Sequence, residues 1–405
     1  MPDRPVAASR TILIAGAGIG GLTAALALAK SGFRIVIVEK AERLEEAGAG
    51  LQLSPNASRV LNDLGLQADL AGRAVVPEAV SMISARAGGE IARLPLGEAA
   101  CSRAGAPYWV IHRADLQAAL QAAVGDNPDI ELRLGCQFED ATPHAKGVSV
   151  VQRTGMTRRQ DVALALIGAD GIWSTVRSHL FPKVQPQFSG LIAWRGTLEA
   201  TQLPRELTPR RVQLWMGPDA HLVAYPISNG RRINVVAVVP GTWNRPGWSA
   251  PGDVTEIKNA FAASQWPPTA RMLIGAVDEW RKWALFTVTG LGEWTKGAVA
   301  LLGDAAHAML PFAAQGAGMA IEDAAVLAKC LADSDRDDPS AIATAMQRYA
   351  RLRQPRVARV QRAARQAGWI YHLAGPLASA RDLTIKTMGA ERVLARQDWI
   401  YDWRP

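Results

Sequence analysis

The chain has 405 residues, of which 49% are hydrophobic and 20% charged, as in an ordinary globular protein with more than one domain. Its net charge is +8, but the basic residues are spread along the chain, which excludes a nucleic-acid-binding arm and favours anionic substrates. No apolar run has transmembrane length, residues 1–10 lack a signal-peptide core, and three scattered cysteines exclude a disulfide framework, so we expect a cytoplasmic protein without a membrane partner.

The first predicted elements are a buried strand over Thr11–Ala15 and a helix over Leu22–Ala29, joined by a glycine-rich turn. The turn carries Gly16, Gly18 and Gly21 in G-x-G-x-x-G spacing, which suits a tight bend, close backbone approach to a pyrophosphate and close helix packing. The N–H groups at the start of the helix can bind phosphate. The motif therefore predicts a dinucleotide site without choosing between FAD and NAD(P).

A second predicted strand, Arg34–Val38, ends at Glu39. A carboxylate at this position can hold a ribose diol through hydrogen bonds. A glycine-rich bend at 45–50 follows, and Ser54 with the next two residues caps a helix over Ala57–Leu64. The alternation of strand and helix continues the nucleotide-binding pattern to about residue 75.

The next region mixes strands with one helix. The span Val80–Leu94 predicts paired strands, and Tyr108–His112 predicts a strand that leads into a helix over Arg113–Ala123. The spans Ile130–Leu134 and Val148–Arg153 predict strands, which we expect a polar, irregular segment to join.

Two further strands end in aspartates. Asp170 follows an apolar strand and precedes a helix that begins at Ser174, while Asp304 follows the strand Ala298–Leu302. The carboxyl ends of strands are where open α/β sheets bind ligands, although the sequence around Asp170 is also typical of a plain turn. Downstream of Asp304, Gly316 and the glycine two residues later precede a helix from about Met319. The glycine motif, the segment at Asp170 and the segment at Asp304 are three ligand sites in one chain, which indicates one large cofactor.

The span from Phe188 to about Phe286 is rich in β-branched residues, Trp, Pro and Gly, which predicts a separate sheet domain. Within it, Val212–Ile227 predicts a hairpin that places His221 and Tyr225 on one face, ~13 Å apart along an ideal strand. A histidine on a sheet face is more often a structural hydrogen-bonding residue than a catalytic one.

The last predicted element is a long helix over Ala341–Ala364, and Pro355 within it should kink or break it. An aromatic tail at 399–403 follows, which either packs against the body or forms a dimer contact.

Together, the glycine motif with Glu39, the Asp170-Gly171 segment, and Gly303-Asp304 with Pro311 resemble the three fingerprints of single-component FAD-dependent aromatic hydroxylases. Four shorter stretches of the sequence are similar to the branch of salicylate hydroxylase, 3-hydroxybenzoate 6-hydroxylase and 6-hydroxynicotinate 3-monooxygenase. The stretches that carry this likeness are GAGLQLSPNA at 48–57, HRADL at 112–116, AWRG at 193–196 and LPFAAQGAGMAIEDA at 310–324.

The resemblance implies an α/β fold in which a Rossmann-like FAD-binding domain is interleaved with a β-sheet substrate domain and followed by C-terminal helices. The implied FAD-binding parts are 1–78, 106–186 and 291–340, the substrate-domain parts are 79–105 and 187–290, and the helical segment is 341–405.

The resemblance also implies which residues hold FAD. Glu39 would bind the adenosine ribose, Arg113 the phosphate–ribose region and Asp304 the ribityl chain, while Asp170 belongs to a motif tied to both FAD and NAD(P)H. Pro311 would stand beside the flavin where oxygen reacts. The N–H groups of Gly316, Ala317, Gly318 and Met319 would face the flavin carbonyl next to N1, where reduced flavin carries negative charge.

For the substrate, the resemblance raises His221 to a candidate general base and Tyr225 to a residue that orients the ring hydroxyl. Gln52, Trp194 and Arg195 would line the pocket, with Gln52 also near the cofactor. The implied reaction uses NADH or NADPH and O2, and passes oxygen from a flavin C4a-hydroperoxide to a small hydroxylated aromatic acid, with or without loss of CO2.

Alternatives share the FAD motifs. The ring could be another heteroaromatic, such as a urate-like or phenazine-like compound, or the chain could bind FAD and aromatic ligands without catalysis. A halogenase is disfavoured because no W-x-W-x-I-P segment is present, and a metal site is disfavoured because His307 has no second ligand at suitable spacing. The motifs do not distinguish NADH from NADPH, or a monomer from a homodimer.

Overall fold

The computed structural model describes residues 10–44, 50–86, 88–245, 247–262, 266–289, 292–335 and 338–405. Residues 45–49 of the glycine-rich bend predicted at 45–50 lie outside this set. Within the described ranges, no helix is both long and apolar enough to span a membrane.

The strands are distributed along most of the chain. They are β1 (Thr11–Ala15), β2 (Arg34–Glu39), β3 (Gly50–Leu53), β4 (Ala79–Ser84), β5 (Glu90–Pro95), β6 (Trp109–His112), β7 (Ile130–Leu134), β8 (Cys136–His144), β9 (Gly147–Thr154), β10 (Thr157–Ala163), β11 (Ala165–Gly168), β12 (Gln187–Glu199), β13 (Arg211–Gly217), β14 (Ala220–Ile227), β15 (Arg232–Pro240), β16 (Ser249–Gly252), β17 (Trp280–Thr287), β18 (Thr295–Lys296) and β19 (Val299–Leu301).

The helices concentrate in the first and last thirds. They are α1 (Ile19–Lys30), α2 (Pro55–Asp63), α3 (Gln67–Ala71), α4 (Glu98–Ala104), α5 (Arg113–Gly125), α6 (Thr175–Leu180), α7 (Val254–Ala260), α8 (Pro268–Gly275), α9 (Asp304–His307), α10 (Gly316–Ala332), α11 (Pro339–Tyr371), α12 (Gly375–Met388), α13 (Ala390–Ala395) and α14 (Asp398–Tyr401). Short 3-10 turns occupy Ala200–Gln202, Arg205–Leu207, Ser228–Gly230 and Pro311–Ala313.

A six-stranded sheet in the order β18-β19-β11-β1-β2-β7 carries the predicted nucleotide motifs, and its strands are parallel except for β18. In its register, Ala15 lies beside Gly168, and Gly168 lies beside Leu301. The chain segments that follow β1, β11 and β19 therefore emerge at one edge of the sheet. This register brings the three predicted motifs together, as expected for ligand sites at the carboxyl ends of parallel strands.

An eight-stranded sheet in the order β16-β17-β12-β15-β14-β13-β4-β5 faces that edge. The pair β4–β5 forms the hairpin predicted over Val80–Leu94 and joins the sheet alongside β13. The predicted hairpin over Val212–Ile227 is β13 and β14, with its turn at Pro218 and Asp219. The mixed α/β fold with C-terminal helices is thus confirmed.

The segment expected to be irregular between β7 and β9 is instead a strand. Residues Cys136–His144 form β8, which pairs with β9 in a three-stranded sheet with β10. The prediction was wrong because a bulge between Phe138 and Asp140 shifts the alternation of buried and polar residues.

Of the kink or break predicted at Pro355, the break is wrong, because α11 runs without interruption from Pro339 to Tyr371. Tertiary contacts hold the helix on both sides of the proline. Arg353 is bonded to two carboxylates on α10, and Gln361 donates to the carbonyl oxygen of Val288 at 2.9 Å. These contacts offset the loss of one backbone hydrogen bond at the proline.

The aromatic tail packs against the body of the protein. The guanidinium of Arg359 lies 3.8 Å from the ring centre of Trp399, a cation–π distance. Arg59 on α2 donates to the carbonyl oxygen of Trp403 at 2.5 Å.

Candidate active site

A cleft lies between the carboxyl edge of the six-stranded sheet and one face of the eight-stranded sheet. The predicted site residues that line it are Gly18, Gln52, Arg113, Arg195, His221, Tyr225, Asp304, Pro311, Gly316 and Ala317. The predicted residues that lie outside its wall are Gly16, Gly21, Glu39, Asp170, Trp194, Gly318 and Met319.

The glycine turn forms one end of the cleft. Gly16 has a φ of +104°, which favours glycine, and a side chain there would collide with the carbonyl of Ala169. In contrast, a Cβ atom on Gly18 would meet nothing within 4 Å. Gly18 is the N-cap of α1 and has no side-chain cap, so the first N–H groups of α1 are available to a ligand in that open space.

Glu39 lies at the end of β2 beside this turn. Its Oε2 accepts a hydrogen bond from the N–H of Ala17, and its Oε1 accepts one from the N–H of Ala41, each at 2.9 Å. These bonds orient the carboxylate, and each oxygen keeps a lone pair for another donor.

Asp170 stabilises the start of α6. Its Oδ2 accepts hydrogen bonds from the N–H groups of Thr175 at 2.7 Å and Val176 at 3.1 Å. Burial raises the pKa of Asp170, although these hydrogen bonds oppose the shift. Its Oδ1 is buried and has no hydrogen-bond partner among the described residues. Asp170 is therefore a helix cap with one acceptor left over.

Asp304 begins α9 after Gly303, whose φ of +62° allows the sharp turn out of β19. Its side chain is exposed on the cleft, and Arg113 lies in the same wall. Burial and the nearby charge of Arg195 lower the pKa of Arg113, while Asp304 opposes the shift. The wall thus combines two cations and one anion.

The segment from Pro311 to Ala317 forms the floor of the cleft. Pro311 lines the cleft, and α10 begins at Gly316, three residues earlier than predicted. Gly316 and Ala317 lie in the first turn of α10 and line the cleft, so their N–H groups have no intrahelical acceptor.

The expectation that Met319 presents its N–H group needs correction, whereas that for Gly318 stays a prediction. Neither residue lines the cleft, and the N–H of Met319 already donates to the carbonyl oxygen of Gln315 at 2.8 Å. A Cβ atom on Gly318 would lie 3.0 Å from the side-chain oxygen of Gln315. Met319 therefore serves the packing of α10, because the earlier start of the helix already satisfies its amide.

Strand β14 supplies the opposite wall. His221, Val223 and Tyr225 alternate along it and all line the cleft, as predicted from their spacing. Burial raises the pKa of the Tyr225 hydroxyl well above its usual range, and the charge of Arg195 only partly opposes this. Tyr225 is therefore a neutral hydroxyl at ordinary pH.

His221 is in direct contact with a second histidine that the sequence did not suggest. Its Nδ1 lies 2.7 Å from Nε2 of His372, the residue that follows α11 as its C-cap. His221 is 3% exposed, and burial together with the nearby His372 holds its pKa well below its usual value of 6.5. His372 is 151 residues away in sequence and stands in no motif, so no sequence signal identifies it.

Arg195 and Trp194 were both expected to line the pocket, but only Arg195 does. Neighbouring residues on a strand face opposite sides, and Trp194 packs in the core behind the sheet against Trp280. The Nε of Arg195 is buried and has no hydrogen-bond partner among the described residues, and burial lowers the pKa of its guanidinium. Arg195 is thus a cation in the cleft wall with an unused donor.

Gln52 lines the cleft from β3, and its Oε1 accepts a hydrogen bond from the Tyr108 hydroxyl at 2.6 Å. His307, which could suggest a metal ligand, is fully buried and its Nε2 lies 2.6 Å from Oδ2 of Asp323.

Comparison with known proteins identifies the family of this chain. A family model described as an FAD binding domain matches residues 9–364. The chain belongs to this family. The α/β fold, the FAD cofactor and the resemblance to aromatic hydroxylases predicted from the sequence are confirmed at this level.

This FAD-binding protein is similar to named enzymes over nearly its whole length. It is 38% identical over 392 residues to 3-amino-4-hydroxybenzoate 2-monooxygenase PtmB3 of Streptomyces platensis, covering 96% of this chain and 95% of that protein. It is 34% identical over 403 residues to 3-hydroxybenzoate 6-hydroxylase of Polaromonas naphthalenivorans, covering 100% and 98%. A solved salicylate hydroxylase substrate complex has a TM-score of 0.79 at 26% identity, covering 97% and 95%.

The residues present fit FAD. The cleft runs from the open space over Gly18 to the free N–H groups of Gly316 and Ala317, with exposed Asp304 between the sheet edge and that helix. Phosphates suit the first site, a ribityl diol suits the carboxylate, and a flavin carbonyl suits the helix N-terminus.

Proposed function

We propose that this protein is an NAD(P)H- and O2-dependent monooxygenase that hydroxylates a small aromatic ring bearing a hydroxyl and a carboxylate, with or without loss of CO2. One observation carries the proposal. A neutral histidine, a neutral tyrosine and an arginine with an unused donor line the same cleft as the helix N-terminus suited to flavin. We expect the enzyme to act in the cytoplasm.

Arg195 provides the counter-ion for the substrate carboxylate. Its guanidinium is desolvated in the cleft wall, and its Nε has no partner among the described residues. A carboxylate would satisfy that donor and offset the cost of a buried cation. A carboxylate bound by Arg195 also explains why the pocket would select acids over neutral phenols.

His221 takes the proton from the substrate hydroxyl. Because burial and His372 hold the pKa of His221 well below 6.5, the imidazole is neutral at ordinary pH and ready to act as a base. His372 occupies its Nδ1, so Nε2 is the ring nitrogen that remains for the substrate. Removing the proton gives a phenolate, whose ring is more electron-rich and therefore more reactive toward an electrophilic oxygen.

Tyr225 orients the same oxygen. Its hydroxyl stays protonated because burial raises its pKa, so it can donate a hydrogen bond to the developing phenolate. The backbone spacing of β14 places His221 and Tyr225 on one face, so that both can address one ring.

The flavin is held by the chain's own groups. Glu39 and Arg113 would bind the adenosine ribose and the phosphate–ribose region, and Asp304 the ribityl chain, while Gly316 and Ala317 would donate to the flavin carbonyl. Asp170, with one free acceptor, supports both FAD and NAD(P)H binding, and Pro311 borders the region where oxygen reacts. When bound, FAD would accept the electrons of NAD(P)H and activate O2.

The test is NADH and NADPH oxidation by the FAD-loaded protein with a panel of ring acids, with products identified by mass and H2O2 measured to detect uncoupling. The panel is 3-hydroxybenzoate, 4-hydroxybenzoate, 3-amino-4-hydroxybenzoate, salicylate, 6-hydroxynicotinate and urate, with benzoate and phenol as controls lacking one group each. We expect at least one hydroxylated acid to gain an oxygen. A protein that binds FAD but oxygenates none of the panel would overturn the proposal and favour a binding role.

A further inference from the structure

The contact between His221 and His372 joins two imidazole rings by one hydrogen bond. Their centres lie 5.0 Å apart, and Nδ1 of His221 lies 2.7 Å from Nε2 of His372. Two neutral imidazoles share such a contact only if one nitrogen carries the proton and the other accepts it. When Nδ1 of His221 is the donor, its Nε2 has a free lone pair, which is the tautomer that a base facing the cleft requires.

The two histidines differ in access to water. His221 is 3% exposed and lies among the rings of Phe312 and Tyr371, whose centres are 5.1 and 5.5 Å away. His372 is half-buried and lies at the end of α11 beside the β13–β14 turn, where the N–H of Asp219 donates to its carbonyl oxygen at 3.2 Å. The pair therefore leads from the buried wall of the cleft toward solvent.

The charged groups around His372 come from two elements, the β13–β14 turn and α12. Asp219 lies on the hairpin turn, and its charge opposes the lowering of the His372 pKa by burial. On α12, Arg381 donates to the carbonyl oxygens of Ile370 and Tyr371 and pairs with Asp382 at 2.8 Å. The Tyr371 hydroxyl donates to the carbonyl oxygen of Phe312, and burial raises its pKa to about 12, so it carries no charge at ordinary pH.

A proton held on His221 would be costly, because the imidazolium would lie in apolar surroundings. In the cleft itself, Arg195 and Arg113 already bring positive charge to the wall, and substrate and flavin would close its volume to water. An exit away from the cleft removes this cost.

We propose that His372 receives the proton that His221 takes from the substrate hydroxyl and releases it to solvent beside the turn at Pro218 and Asp219. This inference rests on the proposed function. The substrate O–H bond breaks as an N–H bond forms at Nε2 of His221, and the Nδ1 proton of His221 passes to Nε2 of His372. The Nδ1 proton of His372 then leaves to water. No group is oxidised or reduced, and a proton returning along the same path resets both rings.

Two variants separate a proton path from a purely positioning role. His372→Gln keeps an amide that can hydrogen-bond to His221 but cannot carry a proton, whereas His372→Ala removes both. His144→Gln makes the same change on an exposed histidine at the end of β8 and serves as the matched control.

The experiment mixes FAD-loaded enzyme with the ring acid that the wild type oxygenates, without NAD(P)H, in weakly buffered solution containing a pH indicator. We expect rapid proton release in the wild type and in His144→Gln, and release slowed by about tenfold or more in both His372 variants. Added imidazole should restore the rate in His372→Ala. We expect the hydroxylation rates of the wild type and the three variants to follow the same order as their rates of proton release.

If His372→Gln releases protons at the wild-type rate, His372 only positions His221 and the proton path is wrong. The same conclusion follows if the wild type hydroxylates its substrate without releasing a proton on binding. If the wild type oxygenates no ring acid, the proposed function itself has failed, and the inference falls with it.

Discussion

Arg177 Nη1 donates a hydrogen bond of 2.7 Å to the carbonyl oxygen of Ala305. The same guanidinium donates at 2.5 Å to the carbonyl oxygen of Ile172, and its side chain is 1% exposed. One buried cation therefore joins the segment after β11, which carries Asp170, to the segment after β19, which carries Asp304. The two motifs are held together by a direct contact as well as by the register of the sheet.

Replacing this cation should loosen both segments. Arg177→Met leaves two buried carbonyls without their donor, and we expect a loss of about 1.5–3 kcal/mol in the free energy of unfolding together with weaker FAD binding. Chemical denaturation and quenching of FAD fluorescence measure the two effects. Arg158→Met, at a site 73% exposed, is the control and should change neither. Unchanged FAD affinity in Arg177→Met would show that the link does not organise the site.

Gly18 offers a substitution that separates the fold from the ligand. A Cβ atom there meets nothing within 4 Å and the φ of −71° suits any residue, so Gly18→Ala should leave the thermal midpoint nearly unchanged. The methyl group would enter the space proposed for the pyrophosphate, so FAD should bind about tenfold or more weakly. Gly18→Ala protein that binds FAD as well as the wild type would place the pyrophosphate elsewhere.

Arg195 should control the preference for acids. We expect Arg195→Gln to raise the KM for the carboxylated substrate by about ten- to a hundredfold, because a charged hydrogen bond is lost. The effect should be small for the matching phenol without a carboxylate. Arg195→Lys keeps the charge but not the planar donor fork, and should recover only part of the loss. An equal KM change for acid and phenol would indicate that Arg195 acts elsewhere.

The pH profile tests His221. Because its pKa is held well below 6.5, the base stays neutral and active as the pH falls past 6.5, and the activity should decline only at lower pH. His221→Ala should lower hydroxylation by about a hundredfold, most strongly at acidic pH, where an unassisted phenol stays protonated. A nitro-substituted substrate that ionises without help should largely escape the loss. A variant with an unchanged pH–rate profile would remove His221 from the mechanism.

The buried charges behind the cleft make a stability prediction. Arg353 donates to Glu322 and Asp323 at 2.6 Å each, and all three side chains are at most 1% exposed. Burial alone would raise the pKa of Asp323, but the charges and hydrogen bonds of His307 and Arg353 outweigh it and lower this pKa to about 2. The stabilisation is therefore present above about pH 4, the unfolded value, and is lost as the pH falls through about 2.

Arg353→Met leaves both carboxylates buried without their partner and should cost about 3–5 kcal/mol in denaturant unfolding at neutral pH. Arg348→Met is the control, because its pair with Asp333 is half-exposed and contributes little. A similar loss in both variants would mean that burial does not set the strength of these pairs.

The sequence predicted those parts of the site that depend on local pattern. The glycine spacing, the acids at strand ends and the alternation of His221 and Tyr225 each reflect one element and its periodicity. Alternation also required that only one of Trp194 and Arg195 face the cleft. Which of the two does so depends on what packs against each face of the sheet, and the sequence of a single strand does not show that. His372 was missed for the same reason, since it reaches His221 through the docking of α11 on β14.

The two large sheets are interleaved along the chain. The six-stranded sheet draws strands from Thr11–Ala15 to Val299–Leu301, while the eight-stranded sheet draws on Ala79–Pro95 and Gln187–Thr287. A recombination point anywhere between residues 96 and 186 would divide both sheets at once. Exchange of residues 187–287 between relatives would therefore move β12 and β14 but leave β4 and β5 behind, so the transferred β13 would have to pair with the β4 of another protein.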